Sequence, residues 1–398
     1  MKKNTLALFL CCLTSFLFAQ PKTAKVFTQQ DWEKLSQHNK DSINKKIFQK
    51  FEEARKQSAS AEGSNALQTI QEALQNPTAT KSLTLHSFPK SLLPSEINRL
   101  TNLEEFTCLQ CKNLDLYALF TQLSSFKNLK RLNLSGGNYK TLPSNINLLQ
   151  TLEELSLKDN NFVSLPDSFS VLKVLRVLNL EHNPYLYDES VYERLQTMKV
   201  ERLNLSAGGL FEINPKVGLV TSLKQLDISV NDIKVLPPTF AQLKQLEYLN
   251  LNENLHLDLQ QMVTTLTKLP ALNELHLQEC EINNLPLEIG QLLNLRTLNL
   301  KANRLTALPL TFGNLNRLQF LDLGYKEMGT RMNKISDLGP GFIQLTNLRN
   351  LNLAGNSIAS LPDGFANLKQ LETLNLQLNK LNAFQLRLLT LTDYRYSI

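Results

Sequence analysis

The stretch that decides the fold is Leu152-Glu-Glu-Leu155-Ser-Leu157-Lys-Asp-Asn160-Asn-Phe162-Val-Ser-Leu165-Pro166-Asp-Ser-Phe169-Ser-Val-Leu172. The same spelling begins again 23 residues later at Leu175, and it returns at Leu223, Leu295 and Leu348. A fixed period in this range is the signature of a repeat architecture, in which each repeat is one small structural unit. The period therefore predicts a stacked array with a long exposed surface.

Each part of the repeat predicts one local structure. If the first Leu is position one, positions one, four and six are apolar, and the alternation at four and six is typical of a short strand with one buried face. A Leu-Pro pair follows in most units and ends the strand, because proline fixes φ. Apolar residues three and six places after the proline have helical spacing, so they predict a short outer turn of helix.

Position nine is usually asparagine. Its amide both donates and accepts hydrogen bonds, so it is expected to pair with backbone groups in the turn after the strand, which would otherwise be buried without partners. The asparagines at this position are Asn160, Asn183, Asn231, Asn254, Asn303, Asn356 and Asn379.

Thirteen units follow this pattern. They start at Thr80, Leu103, Leu129, Leu152, Leu175, Val200, Leu223, Leu246, Leu272, Leu295, Leu318, Leu348 and Leu371. One unit cannot bury its apolar face alone, but stacked units bury a continuous core while their strands pair side by side. Since the outer side is wider than the strand side, we predict an α/β solenoid. It is a curved horseshoe with a concave parallel β-sheet and short helical or 3-10 segments outside.

The spelling L-x-x-L-x-L-x-x-N-x-L-x-x-L-P-x-x-F/I-x-x-L-x-x resembles that of leucine-rich repeat proteins. It is similar to the 23-residue variety of bacterial surface proteins and of Ras-group scaffold proteins in plants and animals, and the resemblance covers about four fifths of the chain. What the resemblance implies is a curved solenoid that binds protein partners on its concave face. It does not imply one activity.

Several units depart from the pattern. The second and eighth units are three residues longer than the 23-residue period, and the extra residues are expected to lengthen the outer helix. The fifth unit lacks the Leu-Pro pair. The eleventh carries the insertion Gly324–Lys334 between its strand and its outer segment. Insertions in repeat proteins form loops on one face, often the binding face, so this segment is either a binding loop or a tolerated surface loop.

The two ends of the chain differ from the repeats. Residues 1–19 have the pattern of a signal peptide, with Lys2 and Lys3 ahead of an apolar run too short to span a bilayer. Residues 20–79 are expected to be helical. Here the helix around Trp32 is either part of a cap or a separate docking helix, and Ser64–Leu74 is expected to cap the exposed end of the solenoid. Residues 80–398 hold the repeats, and the last unit ends where a fourteenth strand would begin, at Tyr394–Ile398. This tail either covers the C-terminal edge of the sheet or leaves it available for pairing.

Composition argues against several classes of function. The formal charge is +6, and basic and acidic residues are interleaved, so no basic stripe for nucleic acid is present. The sequence has no zinc spacing, phosphate loop or nucleophile elbow, so we predict no enzyme activity, cofactor or metal. Cys108, Cys111 and Cys280 fall on core positions and are interpreted as small buried residues, with a bond between the first two left open by their proximity.

The concave face carries the functional signal, because positions three, five, seven and eight are expected to point outward there. Position five is Asn or Asp in most units, which we interpret as a consensus preference that solvates the sheet. Aromatic residues are enriched in binding hot spots, so we predict a ligand patch over units eight to eleven. Its members are Tyr248, Phe320 and Tyr325 as anchors and His276, Arg296 and Lys301 as polar neighbours. The alternative is that these aromatics stand singly on the surface.

The function expected from these patterns is non-catalytic recognition of a protein, a peptide or a cell-surface polymer by an exported protein. The location would be the periplasm, the cell surface or the extracellular medium, with no membrane-spanning segment after signal removal. Adhesion, envelope scaffolding and receptor-like binding all fit. The alternatives are an intracellular signalling scaffold like the Ras-group proteins, a secreted effector and an assembly subunit.

Overall fold

The repeats form one parallel β-sheet of fourteen strands that pair in chain order. The structure is a computed structural model that describes residues 65–186, 189–325 and 332–381 and the backbone of 395–397. The strands are β1 (Ser82–His86), β2 (Glu105–Leu109), β3 (Arg131–Asn133), β4 (Glu154–Ser156), β5 (Val177–Asn179), β6 (Arg202–Asn204), β7 (Gln225–Asp227), β8 (Tyr248–Asn250), β9 (Glu274–His276), β10 (Thr297–Asn299), β11 (Phe320–Asp322), β12 (Asn350–Asn352), β13 (Thr373–Asn375) and β14 (Arg395–Ser397). The first thirteen cover positions three to five of the predicted units, and the curved solenoid with a concave sheet is confirmed.

The outer side of the solenoid consists mainly of 3-10 turns. They are Ser95–Arg99, Ser144–Leu148, Asp167–Val171, Pro215–Leu219, Pro238–Gln242, Leu287–Gln291, Leu310–Asn314, Pro340–Gln344 and Phe365–Asn367. In several units the proline of the Leu-Pro pair is the residue immediately before the outer 3-10 turn, as Pro166 is, with φ −69°. The proline stops the strand and sets the chain direction for the turn, as the sequence predicts.

Four α-helices complete the described part of the chain. They are α1 (65–73), α2 (Leu116–Leu123), α3 (Ser190–Gln196) and α4 (Leu259–Leu266). The helices α2 and α4 lie in the two long units, so the extra residues do lengthen the outer helix. Asp115 caps α2 by accepting from the backbone N–H groups of Tyr117 and Ala118 at 2.8 and 3.1 Å, and Asp258 accepts from Gln261 N–H in α4.

The helix α1 belongs to the same apolar core as the repeats. Its Ala66 and Ile70 are buried, and Leu67 and Leu74 pack against the core with partial exposure. The predicted signal peptide and the helix around Trp32 lie outside the described residues, so both stay predictions.

Position nine forms a buried ladder of side-chain to backbone hydrogen bonds. Asn160 shows the arrangement: its Oδ1 accepts from Tyr139 N–H at 3.1 Å, and its Nδ2 donates to the carbonyls of Leu134 and Leu157 at 3.0 and 2.9 Å. One asparagine therefore satisfies the backbone of two neighbouring units. This cross-unit pairing explains why the residue recurs.

The insertion in the eleventh unit shifts the asparagine away from the ninth position of the unit, but the hydrogen bonds of the asparagine ladder continue. Asn333 is buried, and its Oδ1 accepts from Leu305 N–H at 2.9 Å. Its Nδ2 donates to the carbonyls of Leu300 and Leu323, both at 3.0 Å. Asn333 therefore makes the hydrogen bonds that the asparagine at position nine makes in other units. Counting residues from Leu318 does not reveal this role. Residues 326–331 of the insertion lie outside the described part of the chain.

Two of the three repeat cysteines are joined. Cys108 and Cys111 form a disulfide between the end of β2 and the following turn, and both are buried. Cys280 is a buried free thiol at position nine, and burial raises its pKa to about 12. The interpretation of all three as buried core residues agrees with their exposure, and the bond left open by the sequence is present.

Candidate functional site

The concave face presents two side chains from each strand. Along β4, Glu154 and Ser156 are half exposed while Leu155 between them is buried, and the same alternation recurs in other strands. The strands pair with equal repeat positions opposite each other, as Leu155 lies against Leu178. Side chains at positions three and five therefore form two parallel rows across the sheet.

The row at position five has a structural task. In nine units its Asn or Asp Oδ1 accepts from the backbone N–H at position seven at 2.8 to 3.1 Å. The pairs are Asn133–Ser135, Asn179–Glu181, Asn204–Ser206, Asp227–Ser229, Asn250–Asn252, Asn299–Lys301, Asp322–Gly324, Asn352–Ala354 and Asn375–Gln377. Such a bond closes the turn after the strand. The regularity of position five thus has a fold-building cause rather than only a solvating one.

Four of the thirteen units have another residue at position five, and in the ninth unit that residue is His276. The backbone N–H of Gln278 donates to Asn252 Oδ1 of the preceding unit instead, at 2.7 Å. Asn252 thereby performs the turn-closing task across the unit boundary. The imidazole of His276 is released from that task and lies on the open face of the sheet.

His276 contacts the aromatic residue of the neighbouring strand. Its ring centroid lies 5.2 Å from that of Tyr248, with the planes at 44°, and its Nε2 lies 2.7 Å from Glu274 Oε1. Burial, together with the charges of Asp227 and Glu274, raises the pKa of Tyr248 to about 12. The phenol therefore stays neutral at physiological pH, and it offers a flat apolar ring with a hydroxyl group.

The other predicted aromatics do not join this contact. Phe320 lies on β11, and its side chain is 42% exposed. Three strand spacings separate it from Tyr248, a distance of about 14 Å at the usual spacing of a sheet. Tyr325 instead covers Gly355, where an added Cβ would lie 2.7 Å from the tyrosine Cβ. The structure thus brings Tyr248 and His276 together and leaves Phe320 as a separate exposed ring.

The two predicted cations lie at opposite ends of β10. Arg296 precedes the strand, is exposed, and lines a depression of about 400 Å³ with Glu247 and Arg317. Lys301 follows the strand and is half-buried, and its backbone N–H donates to Asn299 Oδ1. Sequence reasoning missed Asn252, Glu274 and the depression. The histidine at a position that is usually asparagine or aspartate was a signal for Asn252 and Glu274.

Position eight adds apolar side chains in an unusual backbone conformation. Residues at this position have left-handed φ values, such as 55° at Val230 and 58° at Leu378. These side chains are 47% and 68% exposed. A positive φ is unfavourable for a β-branched residue, so the fold itself does not favour valine here.

The described residues contain neither a metal-binding cluster nor a membrane-spanning helix. No group of three or more His, Cys, Asp or Glu side chains there is placed to hold a metal ion. Among the same residues, no helix has the length and apolar character needed to cross a bilayer.

Comparison with known proteins identifies the repeat. Sequence profiles described as Leucine rich repeat match residues 199–255 and 331–381, and also 151–172 and 294–315. No curated protein sequence matches the chain significantly.

Solved structures share the fold along most of the chain. A leucine-rich repeat protein from Leptospira interrogans is 25% identical with a TM-score of 0.51, over 82% of this chain and 98% of that chain. An internalin from Listeria monocytogenes is 23% identical with a TM-score of 0.60, over 83% and 93%. A chain of the Toll–Spätzle complex from Drosophila is 23% identical with a TM-score of 0.59, over 76% and 40%. The matched profiles and the shared fold agree with the repeats described here, and the chain is a leucine-rich repeat protein.

Proposed function

We propose that this protein recognises a protein partner through its concave face, with Tyr248, His276 and Phe320 as contact residues. Leucine-rich repeats are scaffolds for protein–protein recognition and are typically not enzymes. The observation that carries the proposal is His276. Since Asn252 closes the turn in its place, the histidine side chain does not perform the task that Asn or Asp performs in other units, and its ring lies on the concave face against Tyr248.

The dimensions of the site favour a protein over a small molecule. The Tyr248–His276 pair and Phe320 are separated by about three strand spacings on an open sheet, whereas small-molecule sites are enclosed clefts. Aromatic anchors within a polar surface are typical of protein interfaces. The Toll chain, which resembles this one in fold, was solved in a complex with Spätzle.

The test is a comparison of captured proteins. The purified protein is immobilised and exposed to envelope and culture-medium fractions, and bound proteins are quantified by mass spectrometry. Replacing Tyr248, His276 and Phe320 together with alanine should reduce the specific partner by about tenfold or more, since each hot-spot side chain contributes 2 kcal/mol or more.

A matched variant removes apolar surface from the outer side. Leu287 and Leu310 begin adjacent outer turns and are 62% and 72% exposed, so their replacement by alanine removes comparable exposed area away from the sheet. We expect this variant to capture the partner as well as the wild type does. Loss of the partner in the outer variant with retention in the concave variant would place the interface outside the sheet.

We further propose that the protein acts outside the cytoplasm. Residues 1–19 have the pattern of a signal peptide, and a disulfide such as Cys108–Cys111 persists mainly in oxidising compartments. Expression with a C-terminal tag, followed by cell fractionation and intact-mass measurement, should give exported protein that lacks residues 1–19. Full-length protein confined to the cytoplasm, with both thiols reduced, would contradict export and favour the intracellular scaffold.

A further inference from the structure

Charged side chains at position two, just before each strand, form a ladder along one edge of the sheet. Their signs alternate through the first eight units, in the order Lys81, Glu104, Lys130, Glu153, Arg176, Glu201, Lys224 and Glu247. Neighbours pair between units: Lys81 lies 2.9 Å from Glu104, Lys130 lies 3.2 Å from Glu153, and Glu201 lies 2.7 Å from Arg176 and 3.1 Å from Lys224. Each of these four cations thus faces a carboxylate of an adjacent unit.

The ladder is interrupted at units nine to eleven. Position two is Asn273, Arg296 and Gln319 in these units, and the alternation resumes with the ion pair between Arg349 and Glu372. Arg296 is therefore flanked by two neutral amides. It is exposed, and within the described part of the chain no salt bridge joins its guanidinium.

The interruption coincides with the depression of about 400 Å³ beside Arg296. Arg317 lines the same depression and is held by a hydrogen bond from its guanidinium to Asn294 Oδ1 at 2.8 Å, while Asn294 Nδ2 donates to the Pro270 carbonyl at 2.8 Å. A guanidinium has five N–H donors, so most of those on Arg317 remain for a ligand. Glu247 is the third charged group in the lining. The depression therefore holds two cations and one anion.

We propose that this depression binds a carboxylate side chain from an acidic segment of the partner protein. That carboxylate supplies the partner that neither flanking unit, with Asn273 and Gln319 at position two, gives to Arg296. Two guanidinium groups match a carboxylate because each can donate two parallel hydrogen bonds to it. The Glu247 carboxylate repels the ligand weakly, and together with the two arginines it gives the lining of the depression a net charge of +1.

The inference rests on the proposed function, because it names the chemistry of the partner on the same sheet. The two sites are neighbours through the backbone, since the Arg296 carbonyl accepts from Phe320 N–H at 2.9 Å. An extended segment lying across the strand ends can place an acidic residue in the depression and an apolar residue on Phe320.

The test measures binding of a fluorescein-labelled Gly-Ser-Glu-Glu-Gly-Ser peptide to the purified protein by fluorescence anisotropy. Salt is kept at about 20 mM, because exposed charge pairs are screened at higher ionic strength. Arg296→Gln and Arg317→Gln should each weaken binding by about fivefold, as expected for one exposed charged pair. Glu247→Gln should tighten binding about twofold to threefold, because it removes the repelling carboxylate.

Arg349→Gln is the matched control. It removes the same charge from the same ladder, but that guanidinium is already paired with Glu372, so binding should stay within about twofold of the wild type. An equal loss in Arg349→Gln and Arg296→Gln, or no binding by the wild type, would overturn the assignment. A phosphoserine version of the peptide that binds more than tenfold tighter would also overturn it, in favour of a phosphate site. The triple alanine variant of Tyr248, His276 and Phe320 should still bind the peptide, which separates failure of this site from failure of the proposed function.

Discussion

Replacing Asn303 with alanine is expected to lower the free energy of unfolding by about 3 kcal/mol. Asn303 is fully buried at position nine. Its Oδ1 accepts from the N–H groups of Cys280 and Ile282 at 3.0 and 3.1 Å, and its Nδ2 donates to the carbonyls of Leu277 and Leu300 at 2.7 and 2.9 Å. Alanine would leave three of these backbone groups buried without a partner, since the Leu300 carbonyl still accepts from Asn333 Nδ2 at 3.0 Å. Each orphaned group costs about 1 to 3 kcal/mol before any water enters the gap.

Equilibrium unfolding in urea, followed by far-ultraviolet circular dichroism, measures the effect. Asn314→Ala is the control for the same chemical change at an exposed position of an outer turn. Asn303→Cys tests the mechanism, because the chain itself uses cysteine at this position in Cys280, whose Sγ lies 3.2 Å from the Leu251 carbonyl. We expect the cysteine variant to lose less stability than the alanine variant. A position-nine alanine as stable as Asn314→Ala would show that the ladder is not needed.

The fold was predictable because the structure of each unit depends on residues within that unit, and because the same residue pattern recurs in thirteen units. The alternation at Leu155 and Leu157, the proline at Pro166 and the asparagine at Asn160 each predict one element, and the structure has all three where the spelling places them. Asn333 was missed because its role depends on its hydrogen bonds and not on its distance from Leu318. A loop of any length can precede it without changing those bonds.

The candidate site was only partly predictable. Sequence position shows which side chains lie on the concave face, and it marked both Tyr248 and His276. It does not show contacts, because these depend on strand register and ring orientation. The pairing of β8 with β9 places Asn250 opposite His276, which brings the histidine next to Tyr248. The same geometry keeps Phe320 apart. The hydrogen bond that closes the turn of the ninth unit is accepted by Asn252 of the eighth unit. This replacement depends on the proximity of the two units in three dimensions, which the repeat pattern does not show.

The close packing of the outer turns leads to the second large effect. Gly290 lies in the outer turn of the ninth unit, and an added Cβ would lie 2.2 Å from the Thr311 carbonyl oxygen and 2.8 Å from its carbonyl carbon. The Thr311 backbone is held in place because its hydroxyl donates to the Leu287 carbonyl at 2.6 Å. The next unit therefore cannot retreat without losing that bond.

Gly290→Ala is expected to lower the free energy of unfolding by about 3 kcal/mol, the upper end of the usual range for overpacking. The sign of the change in unfolding free energy is informative. Without the close contact, replacing glycine with alanine would stabilise the protein by about 0.4 to 1 kcal/mol, because alanine reduces the entropy of the unfolded chain. Gly208→Ala is the control: it makes the same change where the nearest atom is 3.1 Å away and φ is not left-handed. Urea unfolding should therefore separate the two variants by about 3 to 4 kcal/mol, with Gly290→Ala below the wild type in stability and Gly208→Ala equal to it or slightly above it. If Gly290→Ala is as stable as the wild type, the outer turns of neighbouring units can move apart without loss of stability, and the close contact between Gly290 and Thr311 does not fix their spacing.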